Sequence, residues 1–336
     1  MEKERLAPSW PCWWQWLLPF EKASLIYGVL TSLLMIVFVL SGLHFVSLGQ
    51  MVLMRVEWLA MTVALVALGT LINIRYVRYA RYADLGRVTG QLAWLAMWYP
   101  DTYEFNRLLP NLDHLFASVE ETLFGGQPSL MFSELLPQAF WSEAFNLGYW
   151  SYFPMIAALV LTLFFTKRNY TLAATTILTA FFIYYAIYIF LPVAGPQFYF
   201  AAVGRETIEA GQFPALGTYF SAHTEMLPAP GYADGLFYQL VHAAQATGER
   251  PTAAFPSSHI GISTILLLLA YRHGPKALLC CLLPLWALLC CATVYIQAHY
   301  LIDAIAGLLS APLVLALASW IVAPQRKKTI KKLFKS

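Results

Sequence analysis

Residues 256–321 read PSSHIGISTILLLLAYRHGPKALLCCLLPLWALLCCATVYIQAHYLIDAIAGLLSAPLVLALASWI. Three apolar runs, 256–272, 277–297 and 299–321, follow one another almost without interruption. Each is close to the roughly 20 residues that carry a helix across a bilayer. From Ala277 to Val322 the only Asp, Glu, Lys or Arg is Asp303.

Moving outward, residues 169–204 contain no Asp, Glu, Lys or Arg. Further apolar runs lie at 23–47, 51–75, 145–166 and 170–191. Of the 336 residues 59% are hydrophobic and 12% charged, about half the charge of a soluble domain. A soluble enzyme is therefore excluded, and the expected fold is an all-α polytopic transmembrane bundle. The expected organisation is N-terminal transmembrane and interfacial helices over 1–144, a catalytic membrane domain over 145–322 and a basic tail over 323–336.

That tail carries Arg326, Lys327, Lys328, Lys331, Lys332 and Lys335 and no acid. Such a cluster suits a cytoplasmic segment beside anionic lipid, so the lipid bilayer is the expected partner and nucleic acid is not. The N-terminal segment, with Trp10, Trp13, Trp14 and Trp16, reads as interfacial. The paired cysteines Cys280–Cys281 and Cys290–Cys291 lie in one apolar run and read as small hydrophobic residues. No metal and no cofactor are expected, and the oligomeric state is left open.

With the tail inside, the link Arg272–Lys276 and the turn Lys167–Arg168 also fall inside, and the loop 192–255 falls outside. The first half is harder to thread. Arg75, Arg78, Arg81 and Arg87 suggest the inside, whereas 101–144 holds seven acids against one base, Arg107, and suggests the outside. The sign changes across Val88–Tyr99, which is short for a crossing at ~1.5 Å per residue. It reads as extending with its neighbours into a thin eighth span, or otherwise as a re-entrant stretch. Residues 101–144 read as interfacial helices with outward-facing acids.

Two segments at the outer face carry chemistry. His299 and Asp303 are four apart and share a helix face. A carboxylate there can accept the imidazole N–H, fix the tautomer and leave the other nitrogen as a nucleophile; the plainer alternative is two groups satisfying each other at a helix end. In Phe255-Pro256-Ser257-Ser258-His259, proline and serine suit a helix start. Unpaired N–H groups at such a start bind phosphate, and His259 could pass a proton to a leaving oxygen; an ordinary capped helix is the alternative.

FPSSH followed about forty residues later by H-x3-D resembles the second and third signatures of the type 2 phosphatidic acid phosphatase (PAP2) superfamily. It is similar in particular to the inositol phosphorylceramide synthase-like branch, with Thr293 six residues before His299 and Leu191-Pro192-Val193-Ala194-Gly195-Pro196 in place of the first signature. The resemblance spans roughly 145–321. It implies a lipid phosphatase or phosphotransferase that works through a phosphohistidine on a membrane lipid, with a lipid alcohol such as ceramide as the acceptor in the transfer case. His299 would be the nucleophile, Asp303 its orienting group, and His259 the acid and then the base. Ser257, Ser258 and neighbouring N–H groups would hold phosphate. The usual motif arginines are missing, so Arg250, and secondarily Arg205, is the expected phosphate-binding cation; Gln197 and Tyr199 are further candidates. A catalytically inactive scaffold and a transporter are the alternatives. The expected location is a bacterial inner membrane with the site on the periplasmic face. The loop 192–255 is long for a connector. Its apolar stripe Leu236, Phe237, Leu240 and Val241 is expected to lie on the membrane beside the lipid entry or to pack against the spans.

Overall fold

The computed structural model describes residues 12–333, with side chains from 14 to 322. The cationic side chains of the tail, and Trp10 and Trp13 of the aromatic segment, lie outside those described. All regular structure among the described residues is helical.

Two long apolar helices come first, α1 (Pro19–Leu40) and α2 (Leu48–Arg75), and then a broken pair, α3 (Ala80–Ala93) and α4 (Leu95–Asn106). Three short helices follow, α5 (Asp113–Phe124), α6 (Pro128–Leu135) and α7 (Ala139–Trp150). Next come α8 (Tyr152–Phe165) and the almost wholly buried α9 (Tyr170–Phe190). The long loop contains α10 (Pro196–Val203), α11 (Arg205–Glu209) and α12 (Leu236–Gly248). The chain ends in α13 (Ser258–His273), α14 (Lys276–Tyr295) and α15 (Leu301–Leu333).

Among the described residues five helices are long and apolar enough to cross a membrane, and six if α7 and α8, bent by 48° at one residue, form one span. The protein is an integral membrane protein. One continuous apolar core joins the N-terminal helices to α8, α9 and α13–α15, and includes Tyr27, Trp58, Trp98, Phe181, Ile265 and Leu315. The outward surfaces of α1 and α2 stay apolar and exposed, as lipid-facing helices require.

The stretch Val88–Tyr99 extends with its neighbours. It is the middle of α3–α4, which runs parallel to α9 along its length. At one end the Tyr170 hydroxyl donates to the Arg81 carbonyl (3.1 Å), and at the other the Asn106 amide donates to the Tyr188 carbonyl (3.2 Å). Hydropathy misses this segment because its polar groups are neutralised by partners. Arg87 makes a two-pronged ion pair with Glu21 (2.8 and 2.5 Å), and Asp101 makes another with Arg55 (2.7 and 2.8 Å). Gln91 bridges Trp58 and Thr62.

The outward-facing acids expected over 101–144 are corrected at three positions: Asp101, Asp113 and Glu120 are buried. Asp113 accepts from the backbone N–H groups of Ala194 (2.6 Å) and Gly195 (2.8 Å) and from the Tyr300 hydroxyl (3.1 Å). Glu120 accepts from the N–H groups of Leu301 and Ile302, the first turn of α15. A carboxylate at a helix N-terminus satisfies orphan donors and meets the favourable end of the helix dipole.

The turn at Arg168 and the end of α13 share one end of the bundle, since Arg168 donates to the carbonyls of His273 (2.6 Å) and Gly274 (3.1 Å). The starts of α13 and α15 lie at the opposite end, as the distribution of basic residues implies. In the loop, α12 lies on α7, where Glu143 caps it by accepting from Phe237 N (3.0 Å) and Tyr238 N (2.9 Å). Of its stripe, Val241 is buried and Phe237 packs on Trp150, whereas Leu236 and Leu240 face outward.

Candidate active site

Ser257 caps α13, its hydroxyl accepting from Ile260 N (3.4 Å). The Tyr188 hydroxyl, at the end of α9, donates to the Pro256 carbonyl (2.8 Å) and accepts from Ser258 N (2.9 Å). Helix α15 comes close because residue 307 is glycine: a Cβ there would stand 2.5 Å from the Ser257 carbonyl oxygen. The backbone bond from Ser257 N to the Asp303 carbonyl (3.0 Å) then locks the two helix starts together.

The Leu191–Pro196 stretch joins the same knot. Ala254 N donates to the Val193 carbonyl (3.0 Å) and Gln197 N to the Gln297 carbonyl (2.9 Å). Gly195, at φ +97°, lies where a Cβ would stand 2.7 Å from the Ala298 carbonyl oxygen, so only glycine suits both its angle and its space. Two non-glycine residues take left-handed φ here, Ala253 (68°) and Gln297 (63°). Each sits within two residues of a histidine contact, and uncommon backbone of this kind persists where surroundings over-determine it.

His259 and His299 meet. Nδ1 of His259 lies 3.2 Å from Nε2 of His299, and the ring centroids are 5.5 Å apart. The His299 Nδ1 lies 2.9 Å from the Ala254 carbonyl oxygen, which can only accept. His299 Nδ1 therefore carries the proton, and Nε2 presents its lone pair to His259. Burial, reinforced by the neighbouring His259, lowers the His299 pKa to about 3, so the imidazole stays neutral. Tyr149 stacks on His259 at 4.8 Å, and Tyr152 packs against it at 4.7 Å.

Asp303 does not orient His299 by a direct hydrogen bond. Its nearest carboxylate oxygen is 3.7 Å from Nδ1 and instead accepts from Tyr300 N (2.9 Å). The carboxylate fixes the backbone that carries His299, and the Ala254 carbonyl fixes the ring. Sequence reasoning missed Ala254, since a backbone acceptor leaves no side-chain signature.

The pocket in front of the histidines is lined by Ser258, Gln197, Thr252, Tyr99, Tyr149 and Glu249 among others, and by no lysine or arginine among the described residues. Arg250 is not in that lining; its guanidinium donates to the Glu249 carbonyl (2.7 Å). Arg205 is about half exposed and paired with Glu134 and Glu209. Tyr199 is buried in a separate core and donates to the Pro214 carbonyl (2.9 Å). Ser257 is spent as a helix cap. Thr293 donates to the Cys290 carbonyl of its own helix (3.0 Å). Of the candidates from sequence, the structure brings together His259, His299, Ser258 and Gln197. It adds Tyr99, Tyr149 and Glu249, which no motif marked. Among the described residues no three His, Cys, Asp or Glu side chains are arranged to hold a metal.

These features define a polytopic helical membrane protein with a two-histidine pocket at one end of its bundle. The family model of the PAP2 superfamily matches residues 114–318, and the chain belongs to that superfamily, which points to a membrane phosphatase-type enzyme. No curated protein and no solved structure matches the chain.

Proposed function

We propose that the protein cleaves or transfers the phosphate of a membrane lipid through a phosphohistidine formed on His299. The observation that supports this most is the His259–His299 contact with the Ala254 carbonyl behind it: a lone pair held on Nε2, with a second imidazole beside it to move a proton. In the first step Nε2 of His299 attacks phosphorus and the bond to the leaving oxygen breaks; His259 supplies the proton to that oxygen. In the second step His259 takes a proton from water or an alcohol, whose oxygen attacks phosphorus and releases His299. The Ser258 hydroxyl and the Gln197 amide provide hydrogen-bond donors to the phosphate oxygens. Water as acceptor gives a phosphatase; a bound lipid alcohol such as ceramide gives a phosphotransferase of the inositol phosphorylceramide synthase-like kind.

The membrane end that holds the site lies opposite the basic turns, which supports an outward-facing pocket in a bacterial inner membrane. Purified protein incubated with 32P-labelled lipid phosphates, with and without ceramide, tests both acceptors. Label appearing in ceramide supports transfer. Free phosphate or free phospho-headgroup in equal yield with and without ceramide supports hydrolysis. Turnover that survives His299→Ala contradicts the whole reading.

A further inference from the structure

Helices α1 and α2 leave a groove between them at the end of the bundle opposite the histidines. They meet near their connecting loop, where Phe38, Phe45 and Met51 share one cluster and Arg55 Nε donates to the Ser32 hydroxyl (3.2 Å). Away from that loop they part, because α1 packs on α9 and α2 packs on α3. The gap encloses about 480 Å³ and is lined by Trp16, Leu25, Leu59, Val63 and Ala67 among others. Its open end lies with the starts of α1, α3 and α9, among the basic turns.

The groove suits hydrocarbon. Behind it, α3 satisfies the polar groups of both helices. Arg87 holds Glu21 (2.8 and 2.5 Å), the Trp58 indole donates to Gln91 (3.1 Å), and the Gln91 amide donates to Thr62 (2.8 Å). A ligand there need bring neither donor nor acceptor to them. From Thr70 to Trp58 the α2 wall rises about 18 Å at ~1.5 Å per residue. That is little over half of a ~30 Å hydrocarbon core, the depth that a lipid chain of one leaflet reaches.

The mouth is cationic. Lys22 follows Glu21 at the start of α1, Arg75 ends α2, and Arg78 stands in the turn beyond; both arginines are exposed. The acids nearby are occupied, Glu21 by Arg87 and Asp84 at 3.7 Å from the same guanidinium. Trp16 is 57% exposed at the mouth, and an indole suits the headgroup level. Charge also decides against a second copy of the chain. Copies in one membrane share an orientation, so a two-fold contact through this groove would bring the cationic mouths together.

We infer that the α1–α2 groove binds an acyl chain of an anionic phospholipid in the leaflet opposite the histidines, with the headgroup at Arg75 and Arg78. The site lies outside the family-matched residues 114–318 and stands apart from the phosphohistidine chemistry. The chain fills the gap that α3 leaves between α1 and α2, so the lipid steadies the N-terminal helices.

The test is native mass spectrometry of delipidated full-length protein in detergent, titrated with phosphatidylglycerol or phosphatidylcholine of matched chains. Wild-type protein should bind phosphatidylglycerol more tightly. Each arginine beside an anionic headgroup contributes about fivefold, so Arg75→Gln/Arg78→Gln should weaken phosphatidylglycerol binding by about 10–30-fold and leave phosphatidylcholine within about 2-fold. Ala67→Trp places an indole in the groove from an exposed position of α2, where it disturbs no packing. Each methylene displaced costs about fourfold, so binding should weaken by at least about 10-fold. Phosphatidylglycerol should also raise the melting temperature of wild-type protein by a few degrees, and that of Ala67→Trp by less than half as much. Lipid held at the histidine pocket would respond to neither variant. Equal binding of the two lipids, or phosphatidylglycerol binding unchanged in either variant, overturns the site. A lipid-free dimer that Ala67→Trp dissociates would seat a second copy in the groove and overturn it as well.

Discussion

Helices α1–α4 bury their carboxylates against guanidiniums, whereas the segments from Asp113 to Asp303 bury theirs against backbone N–H groups. Glu21 and Asp101 each meet an arginine in a two-pronged pair. Asp113, Glu120 and Asp303 instead hold the N–H groups of Ala194, Gly195, Leu301, Ile302 and Tyr300. The first arrangement joins helices to one another and leaves no net charge. The second shapes the backbone on which His299 stands. Charge is thus used for assembly in one region and for loop geometry in the other.

The sharpest way to break this distinction is to remove one member of a pair. Arg87→Met should strand Glu21 and lower stability by about 3–5 kcal/mol, and the double variant Arg87→Met/Glu21→Met should recover most of it, because isosteric apolar replacement of a buried pair is often neutral. Thermal unfolding in detergent measures both. A double variant as unstable as the single would place a separate role on one of the two residues.

Asp113→Asn acts on the other region and should do less to stability and more to turnover. The amide keeps one acceptor oxygen, so a loss of about 1–3 kcal/mol is expected. Turnover per folded molecule should fall because the Ala194–Gly195 backbone, pressed against Ala298, loses its anchor. Unaltered turnover would separate Asp113 from the site.

The smallest effect is a pH dependence. Burial outweighs the two N–H donors and raises the Glu120 pKa from 4.5 to about 7. Its folded pKa lies above its unfolded one, so its contribution to stability is full below about 4.5 and is lost as pH rises through about 7. Glu120→Gln should flatten the melting temperature across that window; an unchanged slope would assign the titration to another group.

Much of this was legible in the sequence. The spans α1, α2, α9, α14 and α15 follow from uninterrupted apolar runs, and His259 and His299 from their spacing and from the shared end of their helices. What remained hidden has physical causes. Helices α3–α4 conceal a membrane-length segment behind Arg87 and Asp101, whose charges are cancelled by residues far away in sequence. Glu249 and Tyr99 stand 150 positions apart, and nothing local marks either one. Arg250 and Arg205 were reasonable phosphate cations by proximity in sequence, yet one donates to a backbone carbonyl and the other is neutralised by Glu134 and Glu209 at the surface.

The central claim is that phosphorus is transferred to Nε2 of His299. Rapid quenching of wild-type protein with a 32P-labelled lipid phosphate, followed by peptide mass spectrometry under alkaline conditions, measures it directly. The expected result is an acid-labile phosphoryl group on the peptide containing His299, absent from His299→Ala protein. Label on another residue, or turnover by wild-type protein with label on none, would contradict it.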